Sequence, residues 1–310
     1  MKPFEQLPFA DVPELPRLAH PYFETEARTV PIVSAHFGHA NVHVRVFGEG
    51  PPLLLLHGLM TTSYSFRNVL APLSRRFTLY VPDLLGAGRS DKPRVRYTPD
   101  ALAASVGLTM KALGIWGAPA IGNSMGGYLL MRLALREPAA MSRLVNLHSP
   151  GVPTARMHAL NAAFAVVPKV RPLIAALVRR DPEKWVHRNV HYFDETLKSR
   201  EEHKEYASAL MSDGGLEAFA SMLGDTLDAA EMAAFARELE VRKSANQTFP
   251  IPLRLVYARK DKMVPPIVGT RLSELVPDAP IVWLDDASHF AHVDAPEAFL
   301  NAAVPFLSAQ

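Results

Sequence analysis

The chain has 310 residues, enough for one large hydrophobic core or for a core carrying a smaller insertion. Its 48% hydrophobic and 21% charged content is that of a globular protein, and a net charge of +2 gives no electrostatic case for nucleic acid. The absence of cysteine excludes disulfides, thiolate catalysis and cysteine-ligated zinc. No His-Glu-x-x-His pattern or carboxylate cluster suggests another metal, so neither metal nor cofactor is expected.

Residues 1–27 are rich in proline, and Phe4, Leu7, Phe9, Val12, Leu15 and Leu18 recur too irregularly for one helix. They read as an extended arm laid on the body, with partner binding as the alternative. No apolar h-region follows Met1-Lys2, and no run reaches the roughly 20 apolar residues of a membrane span. The expected location is the cytoplasm, without a membrane partner.

Two strands follow at 28–35 and 40–47, the second alternating through Val42, Val44 and Val46. Leu53 to Leu56 is a continuous apolar run, suited to a strand buried on both faces. Helices are predicted at 63–75, 99–113 and 125–136, with strands at 77–81, 115–121 and 144–148. This alternation implies right-handed crossovers and a mainly parallel sheet. From 150 to 248 the pattern is helical, and strands return at 253–258 and 281–284. Residues 28–149 and 249–310 therefore read as the core, and 150–248 as a helical cap inserted after the sixth strand.

The densest chemical signal is Gly122-Asn123-Ser124-Met125-Gly126-Gly127, a G-x-S-x-G between a short strand and a helix. A serine on so sharp a turn is forced into a strained backbone and lifted clear of the sheet, and small residues two positions away let the chain pass. The structural alternative is a glycine-rich turn whose serine only caps the helix. A serine hydroxyl needs a base, and the base needs an orienting acid. Asp261 follows the strand at 253–258, and His289 follows the strand at 281–284. All three lie just past carboxyl ends of strands, the edge where open parallel sheets bind ligands. His292 is the rival base; Asp285 and Asp286 are rival acids, too near His289 along the chain to approach its ring easily.

Together with Leu56-His57-Gly58, Asp83-x-x-Gly86-x-Gly88-x-Ser90 and the closing Ser288-His289, Asp294, Pro296 and Phe299, these motifs resemble the α/β-hydrolase superfamily. Serine stands here where that family often has glycine before the histidine, and Asp294 where it often has glutamate. The resemblance implies a mostly parallel eight-stranded sheet with a helical cap. It also implies catalysis by Ser124, Asp261 and His289, and an oxyanion hole from the Met125 and Leu59 N–H groups. His57 reads as structural, and the Gly86–Gly88 segment as a tight loop with local bonds from Arg89, Ser90 and Asp91, not a phosphate cradle.

Candidate substrate-binding residues are Asn123, His148, Phe164, Trp185, Tyr192, Phe193 and Val264; aromatics at helical spacing are also ordinary core. The expected function is a serine hydrolase cleaving a small apolar or aromatic ester through an acyl-enzyme, with a small-molecule substrate as partner. Asn123 to Gly127 also resembles the elbow of meta-cleavage-product C–C hydrolases. Residues 57–68 and 90–93 resemble the haloalkane dehalogenase and epoxide hydrolase branch, whose nucleophile is aspartate. A ligand receptor on a hydrolase scaffold is the non-enzymatic alternative. Monomer and homodimer remain open.

Overall fold

An antiparallel hairpin, β1 (Glu26–Ser34) and β2 (Gly38–Phe47), starts the sheet. Gly38 takes the left-handed conformation at the return (φ 70°), which a side chain would disfavour. Along β2, Ala40, Val42, Val44 and Val46 are buried, as the period-two alternation requires. The computed structural model describes residues 2–166 and 170–309, apart from the side chains at 160, 163–166, 170–172 and 174.

Six further strands are β3 (Pro52–Leu56), β4 (Thr78–Pro82), β5 (Ala120–Asn123), β6 (Leu144–Leu147), β7 (Leu253–Ala258) and β8 (Ile281–Leu284). The spatial order is β1-β2-β4-β3-β5-β6-β7-β8, parallel from β4 onward. The order reverses between β3 and β5, so the carboxyl ends of these two strands border a natural crevice. β3 shows why a run of four leucines makes a central strand. Leu53 and Leu55 join the core beneath α1 (Arg67–Ser74) and α12 (Pro296–Leu307). Leu54 and Leu56 join the core beneath α2 (Pro99–Ala112) and α3 (Met125–Arg136). Each buried leucine contributes roughly 1.5–3 kcal/mol.

Between β6 and β7 run α4 (Ala155–Val166), α5 (Val170–Arg180), α6 (Pro182–Asn189), α7 (Arg200–Met211), α8 (Gly215–Ser221) and α9 (Ala229–Ser244). No strand interrupts them among the described residues. α10 (Pro266–Leu275) and α11 (Ala291–Asp294) complete the set. Within the segment read as helical, a single turn at Glu195–Leu197 precedes α7, whose start is fixed by Ser199 accepting the Glu202 N–H at 3.2 Å. The strand before the elbow begins at Ala120, later than 115, because Gly117 turns with φ 86° and Pro119 offers no N–H.

The N-terminal segment lies across α6 and α7. Phe4 N–H donates to Phe193 O at 3.0 Å, Arg200 N–H to Pro13 O at 2.8 Å, and Gln6 Nε2 to His187 O at 2.9 Å. No helix among the described residues is long and apolar enough to cross a membrane.

Candidate active site

Ser124 sits between β5 and α3 with φ 53° and ψ −124°, a backbone state that L residues occupy only under constraint. The constraint is visible in its neighbours. A Cβ at Gly122 would lie 2.5 Å from Gly127 Cα, and one at Gly126 would lie 2.4 Å from the His57 carbonyl oxygen. The spaced glycines are therefore a packing requirement of the turn. The Ser124 N–H donates to Leu147 O at 2.8 Å, and Ser149 Oγ donates to Ser124 O at 2.9 Å, so β6 braces the turn from the side.

Asp261 follows β7. Its Oδ1 accepts the Met263 and Val264 N–H groups at 2.7 and 2.9 Å, which aims Oδ2 at His289 Nδ1, 2.7 Å away. Burial opposes its charge, but His289, His148 and the Val264 N–H prevail and hold the carboxyl below its ordinary range. Because Nδ1–H must donate to this carboxylate, Nε2 of a neutral His289 carries the lone pair. The segment carrying His289 is held by Asp294, which accepts the Ser288 N–H at 3.2 Å and the Phe193 N–H at 2.7 Å. Burial raises the Asp294 carboxyl to about 6.

Ser124 and His289 line one cavity of about 240 Å³. Among the described residues no hydrogen bond joins the Ser124 hydroxyl to the His289 ring. Such contacts commonly tighten only when substrate is bound. Neither the Leu59 nor the Met125 N–H donates to a protein acceptor among the described residues. The first follows β3 and borders the cavity; the second opens α3, where the helix dipole adds positive potential. The site thus gathers a strained hydroxyl, an oriented imidazole and unclaimed N–H groups, the set of parts acyl transfer needs.

The residues singled out from sequence separate clearly. Leu59, Asn123, Trp185 and Val264 line the cavity. Tyr192 does not: it is buried, with its hydroxyl donating to Glu202 at 2.6 Å. Phe193 is also off the cavity, held by Asp294 through its N–H and by Phe4 through its carbonyl. His148 lies behind His289 and does not line the cavity, because its Nδ1–H turns back to the His289 carbonyl at 2.9 Å. The Phe164 side chain falls outside the described residues.

His292 is fully buried against Phe66, with ring centroids 4.9 Å apart, and burial drives its pKa far below the ordinary value. Asp285 and Asp286 point outward to Arg259 and Lys260 at 3.0 and 2.8 Å. His57 bridges its own loop and the next, bonding Gly58 O at 2.8 Å and accepting the Leu84 N–H at 2.9 Å. The loop after β4 wraps the Asp83 carboxylate, which takes the Ser63 and Arg89 N–H groups at 2.7 and 2.8 Å. The Asp91 carbonyl closes the loop by accepting the Gly86 N–H at 2.9 Å, while its side chain bonds β2, accepting the Asn41 N–H at 2.7 Å.

Sequence reasoning missed Arg156, Met157, Phe219, Leu223, Met263 and Phe290 on the cavity wall. Met263 and Phe290 sit beside Asp261 and His289 along the chain, a proximity that was available as a signal. The others come from the helical segment, where no spacing marks a wall position.

Comparison with known proteins bears on the fold. A 2-hydroxymuconate semialdehyde hydrolase of Pseudomonas putida is 27% identical over 274 residues, 84% of this chain and 88% of that protein. Haloalkane dehalogenase 2 of Mycobacterium bovis is 27% identical over 289 residues, 91% of this chain and 97% of that one. A thermophilic esterase from Thermogutta terrifontis superposes with a TM-score of 0.70 at 21% identity, covering 91% and 98% of the two chains. The chain matches only 32% of the length of an uncharacterized Mycobacterium tuberculosis protein, at 39% identity over 108 residues. The family model for the alpha/beta hydrolase fold matches residues 51–296, and the chain belongs to that family.

Proposed function

We propose that this protein is a serine hydrolase that cleaves a small apolar or aromatic ester through an acyl-enzyme. The observation that supports the reading is one cavity lined by Ser124, on its strained backbone, by the Asp261-bonded His289 and by Leu59, whose N–H makes no bond to protein among the described residues. His289 Nε2 takes the Ser124 proton as Oγ attacks the substrate carbonyl. The Leu59 and Met125 N–H groups receive the developing oxyanion, each such donor being worth about 3 kcal/mol in the transition state. Asp261 holds the tautomer and stabilises the imidazolium. His289 then returns the proton to the leaving alcohol, and later draws one from water to release the acid. The helices between β6 and β7 act as a cap, with Met157, Trp185, Phe219 and Leu223 supplying an apolar wall that excludes water.

The test is Ser124→Ala on p-nitrophenyl esters, with kcat falling on the order of 10⁴- to 10⁶-fold. Retention of most activity removes Ser124 from the mechanism. The second reading is C–C hydrolysis of a vinylogous diketone acid, supported by the Asn123-Ser124-Met125-Gly126-Gly127 elbow and by the Pseudomonas putida relative. Loss of the visible absorbance of a dienol substrate, without ester turnover, favours it. Serine in place of an aspartate nucleophile argues against dehalogenation and epoxide opening, and halide release from a haloalkane would reverse that judgement.

A further inference from the structure

His148 follows β6, the strand beside the elbow, and the mechanism above gives it no task. Three features set it apart. Its backbone has a positive φ (52°), uncommon for any residue but glycine. Its side chain is completely buried, yet one ring nitrogen, Nε2, has no hydrogen-bond partner among the described residues. The other nitrogen, Nδ1, lies 2.9 Å from the carbonyl oxygen of His289. A carbonyl only accepts, so Nδ1 carries the proton and donates. The ring is 5.7 Å from that of His289, and one ligand atom each of His148, Asp261 and His289 lie within 4.8 Å of one another.

The same carbonyl accepts a second bond, from Asn123 Nδ2 at 3.1 Å. Asn123 directly precedes Ser124. The His148 segment also grips Ser124 itself, through Leu147 O on the Ser124 N–H and Ser149 Oγ on the Ser124 carbonyl. The backbones of base and nucleophile are thus tied through β6. That tie matters because Ser124 and His289 are not hydrogen-bonded to each other in the free protein. Their separation is set by what holds their backbones, and a misplacement of about 1 Å costs on the order of 100-fold in rate.

We propose that His148 is a positioning residue: its Nδ1–H, bonded to the His289 carbonyl, holds the base in reach of Ser124, and the strained backbone after β6 is retained to deliver that bond. The inference rests on Ser124 and His289 acting as nucleophile and base.

The experiment compares His148→Asn with His148→Leu. The two side chains have nearly the same shape, but only asparagine keeps a donor near the Nδ1 position, and it also tolerates left-handed backbone best among non-glycine residues. The readouts are kcat and KM on p-nitrophenyl esters and the rate of Ser124 labelling by a fluorophosphonate probe. We expect His148→Leu to lower kcat and the labelling rate together by about 30- to 100-fold with KM within about twofold, and His148→Asn to restore most of the loss. His148→Ala replaces the leucine variant should that one fail to fold. A folded donor-less variant with wild-type labelling overturns the inference, as does an equal loss in the asparagine and donor-less variants. Ser124→Ala, run in parallel, separates the two levels: labelling that survives it defeats the catalytic reading itself, whereas labelling lost there but intact in His148→Leu defeats only the role of His148.

Discussion

Among the described residues, one buried cluster of titratable groups lies at the carboxyl edge of the sheet and another under α6 and α7. At the sheet edge, Asp261 and His289 share a 2.7 Å bond, and His289 borders a cavity. Under the helices, Arg67 of α1 pairs with Glu202 of α7, Tyr192 donates to Glu202 at 2.6 Å, and Tyr64 donates to Glu201 at 2.6 Å. Arg67 and Glu202 are both fully buried and border no cavity with Ser124. Burial opposes the charge on Arg67, but Glu202 and the surrounding tyrosines hold its pKa well above the ordinary value. The difference separates two uses of buried charge. A hydrogen-bonded acid–imidazole pair with one edge open to a cavity is placed where a proton could be exchanged, as the proposed function requires; a closed ion pair spans two elements and fixes how one docks on the other.

Exchanging the consequences of these clusters is the sharpest way to break the comparison. Asp261→Asn should leave the fold intact and lower kcat on the order of 10⁴-fold, because an amide cannot hold the same tautomer of His289. Steady-state kinetics beside a thermal melt would check it; a loss of stability with little loss of rate would place Asp261 in the structural class. Glu202→Gln should do the reverse. It strands the Arg67 charge in the interior and should cost about 3–5 kcal/mol of unfolding free energy, with near-normal kcat in the fraction that folds. Urea denaturation reads that directly, and replacing Arg67 and Glu202 together by leucine should recover most of the loss.

The pH dependence of stability sharpens the comparison next. Burial holds His148 at about 4 and His203 at about 3, and puts His292 well below its ordinary value. In each case the unfolded chain takes up the proton first, so stability falls as pH drops from about 6.5 towards 4, with His148 alone worth about 3 kcal/mol. Asp294 works in the opposite sense. Its folded value of about 6 means the native state binds the proton first, which adds roughly 3 kcal/mol as pH falls to 4. Three imidazoles outweigh one carboxyl, so the melting temperature should decline between pH 7 and pH 4.5. Asp294→Asn removes the opposing contribution and should make the decline steeper; an unchanged slope would mean that Asp294 does not titrate there.

The sheet edge was legible in the sequence because its demands are local. A strained turn needs Gly122 and Gly126 at fixed offsets, and residues after strand ends must converge where the strands do. The helical segment gave no such signal. Tyr192 and Phe193 lie one residue apart, and neither reaches the cavity: one hydroxyl is spent on Glu202, and one backbone is spent on Asp294 and Phe4. Those partners are distant along the chain, and helical periodicity does not distinguish a residue packed inward from one facing a pocket. Trp185 had the same standing in the sequence as Tyr192, yet it lies on the cavity wall. The start of α7 did leave a signal, since Ser199 and Glu202 have the spacing of a capping box, and the Ser199 hydroxyl accepts the Glu202 N–H.

The smallest effect concerns the arm that covers the closed cluster. Phe9 stacks on His203 with ring centroids 5.7 Å apart, and the Arg200 guanidinium lies 3.8 Å from the Phe9 ring centroid. His203 is buried and belongs to α7, the helix that carries Glu202. Phe9 is thus a fastener on the outer side of the same helix that Arg67 grips from within. Phe9→Ala removes a cation–π contact and part of a stack, so it should cost about 1–2 kcal/mol in urea denaturation. It should leave Ser124 labelling by a fluorophosphonate unchanged at 25 °C, since no bond from Phe9 reaches β5, β7 or β8. A slowed labelling rate in a fully folded Phe9→Ala protein would show that the arm tunes the site as well as the docking of α7, and the separation between the two clusters would then fail.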